Sequence, residues 1–391
     1  MPKSPTPRVA IVHDWLVQPG GAELVLRELI ALFPQAELYA LIDRMPRAER
    51  DALGLGGKRT HTSFLQRAPG VARHYRSYLP LMPLAARSLD VSAYDIVITN
   101  SHAVAKGVRT RPGQLHVNYC LSPMRYAWDL REQYLREAGL DAGIKGFGAR
   151  WLLERMRRWD HRRSADVTTF VTLSHFIAER IKRAYGRDAE VVYPPVDTEY
   201  FTPVGESPSG ELHGGGFYLT TSRFVPYKRV DMIARAFAQL GDRELVLIGD
   251  GPDRAKVLAV GGPNVRFLGQ QPRDVVRDHM RRARAFVFAA EEDFGIAPVE
   301  AMACGTPVIA YGKGGATETV RADDSPDATG MLYPEQTAES LAAAVRAFEA
   351  RQTPISAAAC RAQALKFRAE LFGEGFGAIV AREWAAFAAR A

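Results

Sequence analysis

Two glutamates, Glu292 and Glu300, lie eight residues apart in the segment EDFGIAPVEAMACGTPVIA. Glu292 follows a short apolar run of strand length, 286–289, and Glu300 falls in the first turn of the helix predicted next. In a parallel α/β sheet such a loop leaves the carboxyl end of a strand, where ligands bind. One carboxylate can therefore reach the hydroxyl groups of a ligand from the loop, and the other from the helix.

Backbone amides are predicted beside these carboxylates. Phe294, Gly295 and Ile296 precede the helix, and Gly315 follows the next apolar run, 308–311. The unpaired N–H groups at a helix N-terminus attract phosphate. Acids that bind hydroxyl groups, next to amides that bind phosphate, favour a sugar nucleotide as the ligand. The alternative is that both glutamates are solvated surface acids.

Two cations, Arg223 and Lys228, follow the predicted strand 217–222. Arginine can bind a diphosphate in bidentate fashion, and lysine supplies a point charge. This pair is typical of a diphosphate site, although cations in loops are often only solvated.

The first half of the chain has its own candidates after strands. The predicted strand 8–16 leads into Gly20 and Gly21, and a glycine pair lets backbone approach a ligand closely. His102 comes just past the predicted strand 94–99, on the ligand side of a parallel sheet, unless it only caps the strand. Leu121 and Arg125 follow a third strand, 115–120.

Composition restricts the class of protein. A length of 391 residues suits two domains, and 47% apolar with 24% charged residues is usual for a soluble protein. No run reaches the roughly 18 apolar residues that span a bilayer, and the N-terminus lacks a signal-peptide pattern. The three cysteines are isolated, which favours reduced thiols. We therefore expect a cytoplasmic protein.

A net charge of +7 suits nucleic acid, anionic lipid or a phosphorylated substrate. No nucleic-acid-binding motif is present, so we predict that nucleic acid is not a partner. The most cationic segment, 144–163, carries Trp151, Leu152, Arg155 and Trp159 at helical spacing. It is either an interfacial helix on anionic membrane or a packed domain helix with solvated arginines.

In chain order, the segments GGAE, SHAVAKG, MRYAWD, the pair Arg223 and Lys228, GDGP and the pair Glu292 and Glu300 closely resemble motifs of the retaining GT-B glycosyltransferases, family 4. The resemblance covers nearly the whole chain. It implies an α/β fold with two Rossmann-like domains facing each other across a cleft. The implied bounds are an acceptor domain at 1–198, a linker at 199–216, a donor domain at 217–372, and a C-terminal helix, 373–391, that packs back on the acceptor domain.

The resemblance also implies roles for residues. Glu292 would contact the transferred sugar and Glu300 the ribose, while Arg223 and Lys228 would hold the donor pyrophosphate and stabilise it as the leaving group. Gly20 and Gly21 would line the cleft.

Family members retain the anomeric configuration and bind no metal, so neither a metal nor another cofactor is expected. The sequence around EEDFGI and VPYKRVD is similar to that of bacterial polysaccharide enzymes, many of which use GDP-mannose. The implied acceptor is a lipid-linked oligosaccharide, and the implied place of action is the inner face of the cell membrane, as a peripheral protein.

One position departs from the family pattern. Relatives carry a histidine that faces the donor sugar where this chain has Leu121, and His102 is the nearest candidate substitute. Arg125 could meet an acceptor phosphate or brace its loop. Three alternatives stay open: a UDP-sugar-dependent transferase of the same fold, an epimerase or phosphorylase on that fold, and a catalytically weakened nucleotide-binding scaffold protein, the last of which Leu121 motivates.

Overall fold

The computed structural model describes residues 7–137, 139–203 and 216–390. They divide into two compact units. The first comprises the described residues up to Tyr193 together with those from Phe372 onward, and the second runs from Pro194 to Leu371. Each unit contains one parallel sheet with helices between its strands. The predicted α/β fold with two Rossmann-like domains is confirmed.

The first unit is built on a seven-stranded sheet. Its strands are β1 (Val9–His13), β2 (Glu37–Ala40), β3 (Thr60–Thr62), β4 (Ile96–Ser101), β5 (Leu115–Cys120), β6 (Thr169–Thr172) and β7 (Ala189–Val191). Its helices are α1 (Gly21–Leu32), α2 (Arg47–Ala52), α3 (Val71–His74), α4 (Met82–Ser88), α5 (Arg131–Glu137), α6 (Gly143–Ser164) and α7 (His175–Tyr185). The strand order is β3-β2-β1-β4-β5-β6-β7, with every neighbouring pair parallel.

The second unit has a six-stranded parallel sheet. Its strands are β8 (Phe217–Thr221), β9 (Glu244–Ile248), β10 (Val265–Gly269), β11 (Ala285–Phe288), β12 (Val308–Tyr311) and β13 (Gly330–Tyr333). Its helices are α8 (Val230–Leu240), α9 (Arg254–Val260), α10 (Arg273–Arg282), α11 (Ile296–Ala303), α12 (Ala316–Thr319), α13 (Ala338–Glu349) and α14 (Ala357–Ala364), followed by α15 (Ala369–Ala388). The strand order is β10-β9-β8-β11-β12-β13. Short 3-10 helices lie at Phe64–Arg67, Tyr75–Leu81, Ala105–Gly107, Pro226–Lys228 and Leu365–Phe367.

The central strands consist of fully buried residues, as expected for parallel sheets covered on both faces. The apolar runs predicted β5 and β12 at their observed bounds. β3 and β13 were not predicted from the sequence. β3 is a polar, half-buried edge strand, and β13 begins with a glycine whose added Cβ would overlap the carbonyl of Val308 on β12.

The boundary between the units differs from the predicted one at 198. Val196 donates its amide to Phe367 O (2.9 Å), and Arg361 Nη1 donates to the carbonyls of Thr198 and Phe201 (both 2.8 Å). These bonds hold residues 194–203 in the second unit. Residues 204–215 of the predicted linker lie outside the described residues.

The final helix, α15, begins at the end of the second unit and continues into the first. Phe372 and Phe376 pack edge-on against Tyr119 of β5, with ring centroids 5.5 and 5.9 Å away. Thr169 of β6 donates its hydroxyl to the carboxylate of Glu383 (3.0 Å). Within the described ranges, no helix is both long and apolar enough to cross a membrane.

A buried ion pair in the first unit, together with its hydrogen bonds, links the segments SHAVAKG and MRYAWD. Lys106, in the 3-10 turn after β4, contacts Asp160 of α6, and both side chains are at most 1% exposed. Asp160 Oδ2 also accepts hydrogen bonds from Trp128 Nε1 (2.9 Å) and the Tyr185 hydroxyl (2.7 Å). A buried charge pair is tolerated only when further hydrogen bonds satisfy its remaining atoms. Lys106 of SHAVAKG and Trp128 of MRYAWD therefore stabilise the packing of the first unit.

Replacing Asp160 with asparagine tests this arrangement. The substitution leaves the ammonium of Lys106 buried without a counter-charge, so we expect a loss of roughly 3–5 kcal/mol in the free energy of unfolding of the first unit. All five tryptophans (residues 15, 128, 151, 159 and 384) belong to that unit, so urea unfolding followed by tryptophan fluorescence measures it selectively.

The control is Asp188→Asn, which breaks an exposed ion pair with Lys182 (2.7 Å) and should leave the midpoint unchanged. Equal midpoints for Asp160→Asn and wild type would show that the buried pair contributes little.

Candidate functional site

The two charged candidates of the second unit that lie closest together are Lys228 and Glu292. Lys228 ends the 3-10 turn after β8, and Glu292 lies in the loop after β11. The Lys228 ammonium forms an ion pair with Glu292 Oε1, and both side chains are partly buried. The pair forms because β8 and β11 are neighbours in the sheet, so their loops leave the same edge side by side.

Glycines allow the loops after β11 and β12 to touch. Gly315 donates its amide to Glu292 O (2.8 Å). A Cβ added at Gly315 would overlap the backbone of Phe294, and one at Gly314 would overlap the carbonyl of Glu292. Gly314 also has a φ of 73°, which side-chain-bearing residues rarely adopt. The glycine pair therefore fixes the backbone on which Glu292 is carried.

The N-terminus of α11 lies at the same edge. Gly295, with a φ of 86°, precedes the helix, and the ring of Phe294 is buried against Phe367. Within the described part of the chain, the amides of Gly295 and Ile296 donate to no protein acceptor. These two N–H groups are available to an anionic ligand.

Arg223 is exposed, in the loop after β8. In the ranges that the structure describes, its guanidinium makes no ion pair. The glycines of GDGP shape this loop: an added Cβ at Gly249 or Gly251 would overlap the backbone of residues 222–224. A cation held on a well-packed loop without a protein counter-charge can bind an anion.

Glu300 lies in the second turn of α11 and not, as predicted, in the first, because the helix already begins at Ile296. Desolvation of its carboxyl raises the pKa to about 7, with Arg273 acting against this shift and Asp197 adding to it. Arg273 is paired with Asp197 (2.7 Å) and stacks on the ring of Tyr200 (4.1 Å). This neighbourhood was not predicted from the sequence, in which Asp197 follows Pro194 and Pro195 after one intervening valine.

In the first unit, a fully buried carboxylate fixes the loop after β4. Asp14 accepts the amides of His102 and Ala103 on Oδ2 (2.7 and 2.9 Å), and those of Val104 and Ala105 on Oδ1 (2.8 and 2.7 Å). Burial acts to raise the pKa of Asp14, but His102, these hydrogen bonds and His13 together lower it. Asp14 was not predicted as a functional residue, although an aspartate directly after an apolar strand was a usable signal.

His102 is thereby held at the edge of the sheet. Its side chain is 33% exposed, and Nδ1 lies 3.2 Å from Asp14 Oδ2 without hydrogen-bond geometry. The ring stands edge-on to Trp15. Burial lowers the pKa of His102, Asp14 opposes this shift, and His13 and Arg125 add to it. The imidazole is therefore neutral near pH 7, and Arg125 lies within electrostatic reach of it.

The loop before α1 is closed by Glu23 of the GGAE segment. Glu23 is buried, and its Oε1 lies 3.3 Å from His13 Nε2. Gly20 has extended backbone, but an added Cβ would lie 3.1 Å from Glu23 Oε2. Gly21 is the first residue of α1. Gly20 therefore makes room for the buried carboxylate of Glu23.

Leu121 is 8% exposed and donates its amide to Ser101 O (2.9 Å). The position therefore contributes an apolar side chain to the region after β5. Among the described residues, no group of three or more histidine, cysteine, aspartate or glutamate side chains is placed to hold a metal ion.

Part of the chain matches a known protein family. Residues 207–367 match the family described as "Glycosyl transferases group 1". The chain is 32% identical over 213 residues to a GDP-mannose-dependent alpha-(1-6)-phosphatidylinositol monomannoside mannosyltransferase of Mycolicibacterium smegmatis, covering 46% of this chain and 53% of that relative. It is 30% identical over 217 residues to a D-inositol 3-phosphate glycosyltransferase of Geodermatophilus obscurus, covering 47% and 46%. The chain thus spans about half the length of the curated relatives it matches.

Solved structures share the fold over nearly the whole chain. Sucrose-phosphate synthase from Thermosynechococcus elongatus has a TM-score of 0.71 at 19% identity, covering 97% of this chain and 100% of its own. Anabaena HepE in complex with UDP has a TM-score of 0.68 at 20% identity, covering 96% and 100%. These similarities support two parallel-sheet Rossmann-like domains of the GT-B type.

The raised pKa of Glu300 predicts a pH dependence of stability. The folded protein binds this proton more tightly than the unfolded chain does. The resulting stabilisation is therefore full below the unfolded pKa of 4.5 and is lost as the pH rises through about 7. We expect Glu300→Gln to gain stability relative to wild type between about pH 5 and pH 8, measured as calorimetric melting temperatures.

The control is Glu339→Gln, because hydrogen bonds from its own amide and from Gln239 lower the pKa of Glu339 and move its titration below that window. A constant difference between Glu300→Gln and wild type would mean that Glu300 is ionised throughout.

Proposed function

We propose that this protein is a retaining, metal-independent glycosyltransferase of GT-B family 4. In this proposal it transfers a hexose, with mannose from GDP-mannose as the favoured donor, to a lipid-linked oligosaccharide in bacterial surface polysaccharide synthesis. It acts in the cytoplasm, at the inner face of the membrane. The observation that carries the proposal is the ion pair of Lys228 and Glu292 at the same sheet edge as the amides of Gly295 and Ile296, which donate to no protein acceptor among the described residues.

The proposed mechanism begins with an exchange of partners. The oxygens of a donor diphosphate would compete with Glu292 for Lys228, and Arg223 and the amides of α11 would add positive potential. The released carboxylate of Glu292 could then accept hydrogen bonds from the hydroxyl groups of the sugar. Glu300 would meet the ribose. Binding of the donor thus turns a protein ion pair into two ligand contacts.

Charge stabilisation would supply most of the rate enhancement. As the glycosidic bond breaks, negative charge grows on the nucleoside diphosphate, and cations already held in place lower the cost of that charge. The leaving phosphate can take the proton of the acceptor hydroxyl on the same face of the sugar, so no protein base is required. In the first unit, His102 and Arg125 are the proposed groups on the acceptor or sugar side, with Leu121 where relatives carry histidine.

The choice of donor rests on the names of the relatives and not on a residue that would recognise the nucleotide base. Two relatives at 32% identity are named as GDP-mannose-dependent mannosyltransferases, which supports GDP-mannose over a UDP-sugar. A second candidate function is a nucleotide-binding scaffold that turns nothing over. The observation that favours it is the buried, apolar Leu121, which can neither donate a hydrogen bond nor carry charge.

Calorimetric titration of GDP, GDP-mannose, UDP and UDP-glucose tests the site. We expect one nucleotide to bind selectively and Glu300→Ala to weaken that binding at least tenfold, because a hydrogen bond to a charged group contributes about 1.5–3 kcal/mol. Glu339→Ala, an exposed glutamate of the same unit, should bind like wild type. Binding without turnover would favour the scaffold, whereas no binding of any of the four ligands would contradict both proposals.

Lys228→Ala tests the catalytic role. Loss of the ammonium should reduce kcat roughly 100- to 1,000-fold, because charge on the leaving diphosphate loses a preorganised partner. Lys256→Ala is the matched control: it removes an exposed lysine of the same unit, paired with Asp231 (2.7 Å), and should retain full turnover. Near-normal turnover of Lys228→Ala with an intact fold would remove Lys228 from the mechanism.

A further inference from the structure

The outer face of α6 in the first unit is apolar at its N-terminal end. Ile144 is 92% exposed, Phe147 74% and Trp151 57%, although all three are large apolar residues. Their spacing of three and four residues places them on one side of the helix. The opposite face is packed, with Leu153 and Met156 buried. The exposed face therefore fits the interpretation of segment 144–163 as an interfacial helix, and the buried face fits its interpretation as a packed domain helix.

The same side of the helix becomes cationic toward its C-terminus. Arg155 follows Trp151 by four residues, and Arg162 lies two turns farther on. Within the described ranges, neither arginine lies within 4.0 Å of a carboxylate, and Arg155 stacks over the ring of Trp151 (4.9 Å). We call this line of side chains, from Ile144 through Phe147, Trp151 and Arg155 to Arg162, the α6 stripe.

A groove runs along the cationic half of the stripe. It measures about 530 Å³ and lies between α6 and the residues around the start of α4. Its lining includes Leu84, itself 60% exposed, together with Leu152, Trp159, Arg155 and Arg162. The groove thus combines apolar and cationic side chains.

The net charge of segment 144–163 indicates which class of ligand the α6 stripe and its groove bind. Segment 144–163 carries seven lysines and arginines against two acids, so the occupant is anionic. A nucleic acid would match the arginines but would leave Ile144, Phe147 and Leu84 in water. An anionic phospholipid matches both halves, because its phosphate suits arginine and its acyl chains suit the apolar side chains.

We propose that the α6 stripe and its groove are a membrane-docking site for anionic phospholipid. The helix lies in the plane of the interface with Phe147 and Trp151 in the acyl boundary. Arg155 and Arg162 bind lipid phosphates, and an acyl chain rests against Leu84 in the groove. All of these contacts lie within the first unit, so the site does not depend on the proposed sugar transfer.

Co-sedimentation of the full chain with vesicles tests the proposal. We expect binding to phosphatidylcholine vesicles that contain phosphatidylglycerol, and none to phosphatidylcholine alone. The double variant Arg155→Gln/Arg162→Gln should lower the partition coefficient about thirtyfold, from the loss of two cations at the surface. Trp151→Ser should also weaken binding, because it removes an apolar anchor without a change in charge.

The matched control is Arg59→Gln/Arg109→Gln, which removes the same net charge from two exposed positions of the same unit. It should bind vesicles like wild type. An equal loss of vesicle binding in this control would overturn the proposed site, because attraction by the overall net charge would then explain the binding. A vesicle-free dimer that Trp151→Ser dissociates would also overturn it, because the stripe would then be a protein interface. Tryptophan fluorescence verifies folding, and nucleotide titration of the same variants separates this result from a failure of the proposed function.

Discussion

Direct contact between loop backbones at the carboxyl edge of the second sheet positions the candidate residue Glu292. The loops after β8, β11 and β12 are adjacent because their strands are, and glycine allows the loops after β11 and β12 to touch. Gly315 is bonded to the carbonyl of Glu292, and that residue in turn meets Lys228. A side chain at Gly314 or Gly315 would move the loop that carries Glu292. The chemistry of the site therefore depends on a backbone contact more than on any single charge.

The first unit fixes its loops in another way, with buried charge. Asp14 binds four successive amides after β4, and Asp160 holds Lys106 at the end of the same loop. Each carboxylate satisfies several donors at once, which offsets its desolvation. The segment SHAVAKG, which resembles a family motif, thus contains both a residue at the edge of the sheet and a residue buried in the packing. His102 is held at the edge, whereas Lys106 is committed to packing.

The family match and the geometry support each other in the second unit. Residues 207–367 match the glycosyltransferase family, and the same stretch contains the pair of Lys228 and Glu292 and the N-terminus of α11. The first unit carries the departure at Leu121 and the exposed stripe on α6. The family match and the features that set this chain apart therefore lie in different units.

The amino-acid sequence by itself determined the elements and the candidate residues. Apolar runs such as 115–120 and 308–311 form strands at their predicted bounds, because burial on both faces requires local hydrophobic sequence. Only the tertiary structure decided which residues meet. The ion pair of Lys228 and Glu292, the amides around Asp14 and the packing of residues 194–203 on the second unit all join segments distant in sequence. These contacts follow from strand order and helix packing, which local periodicity does not encode.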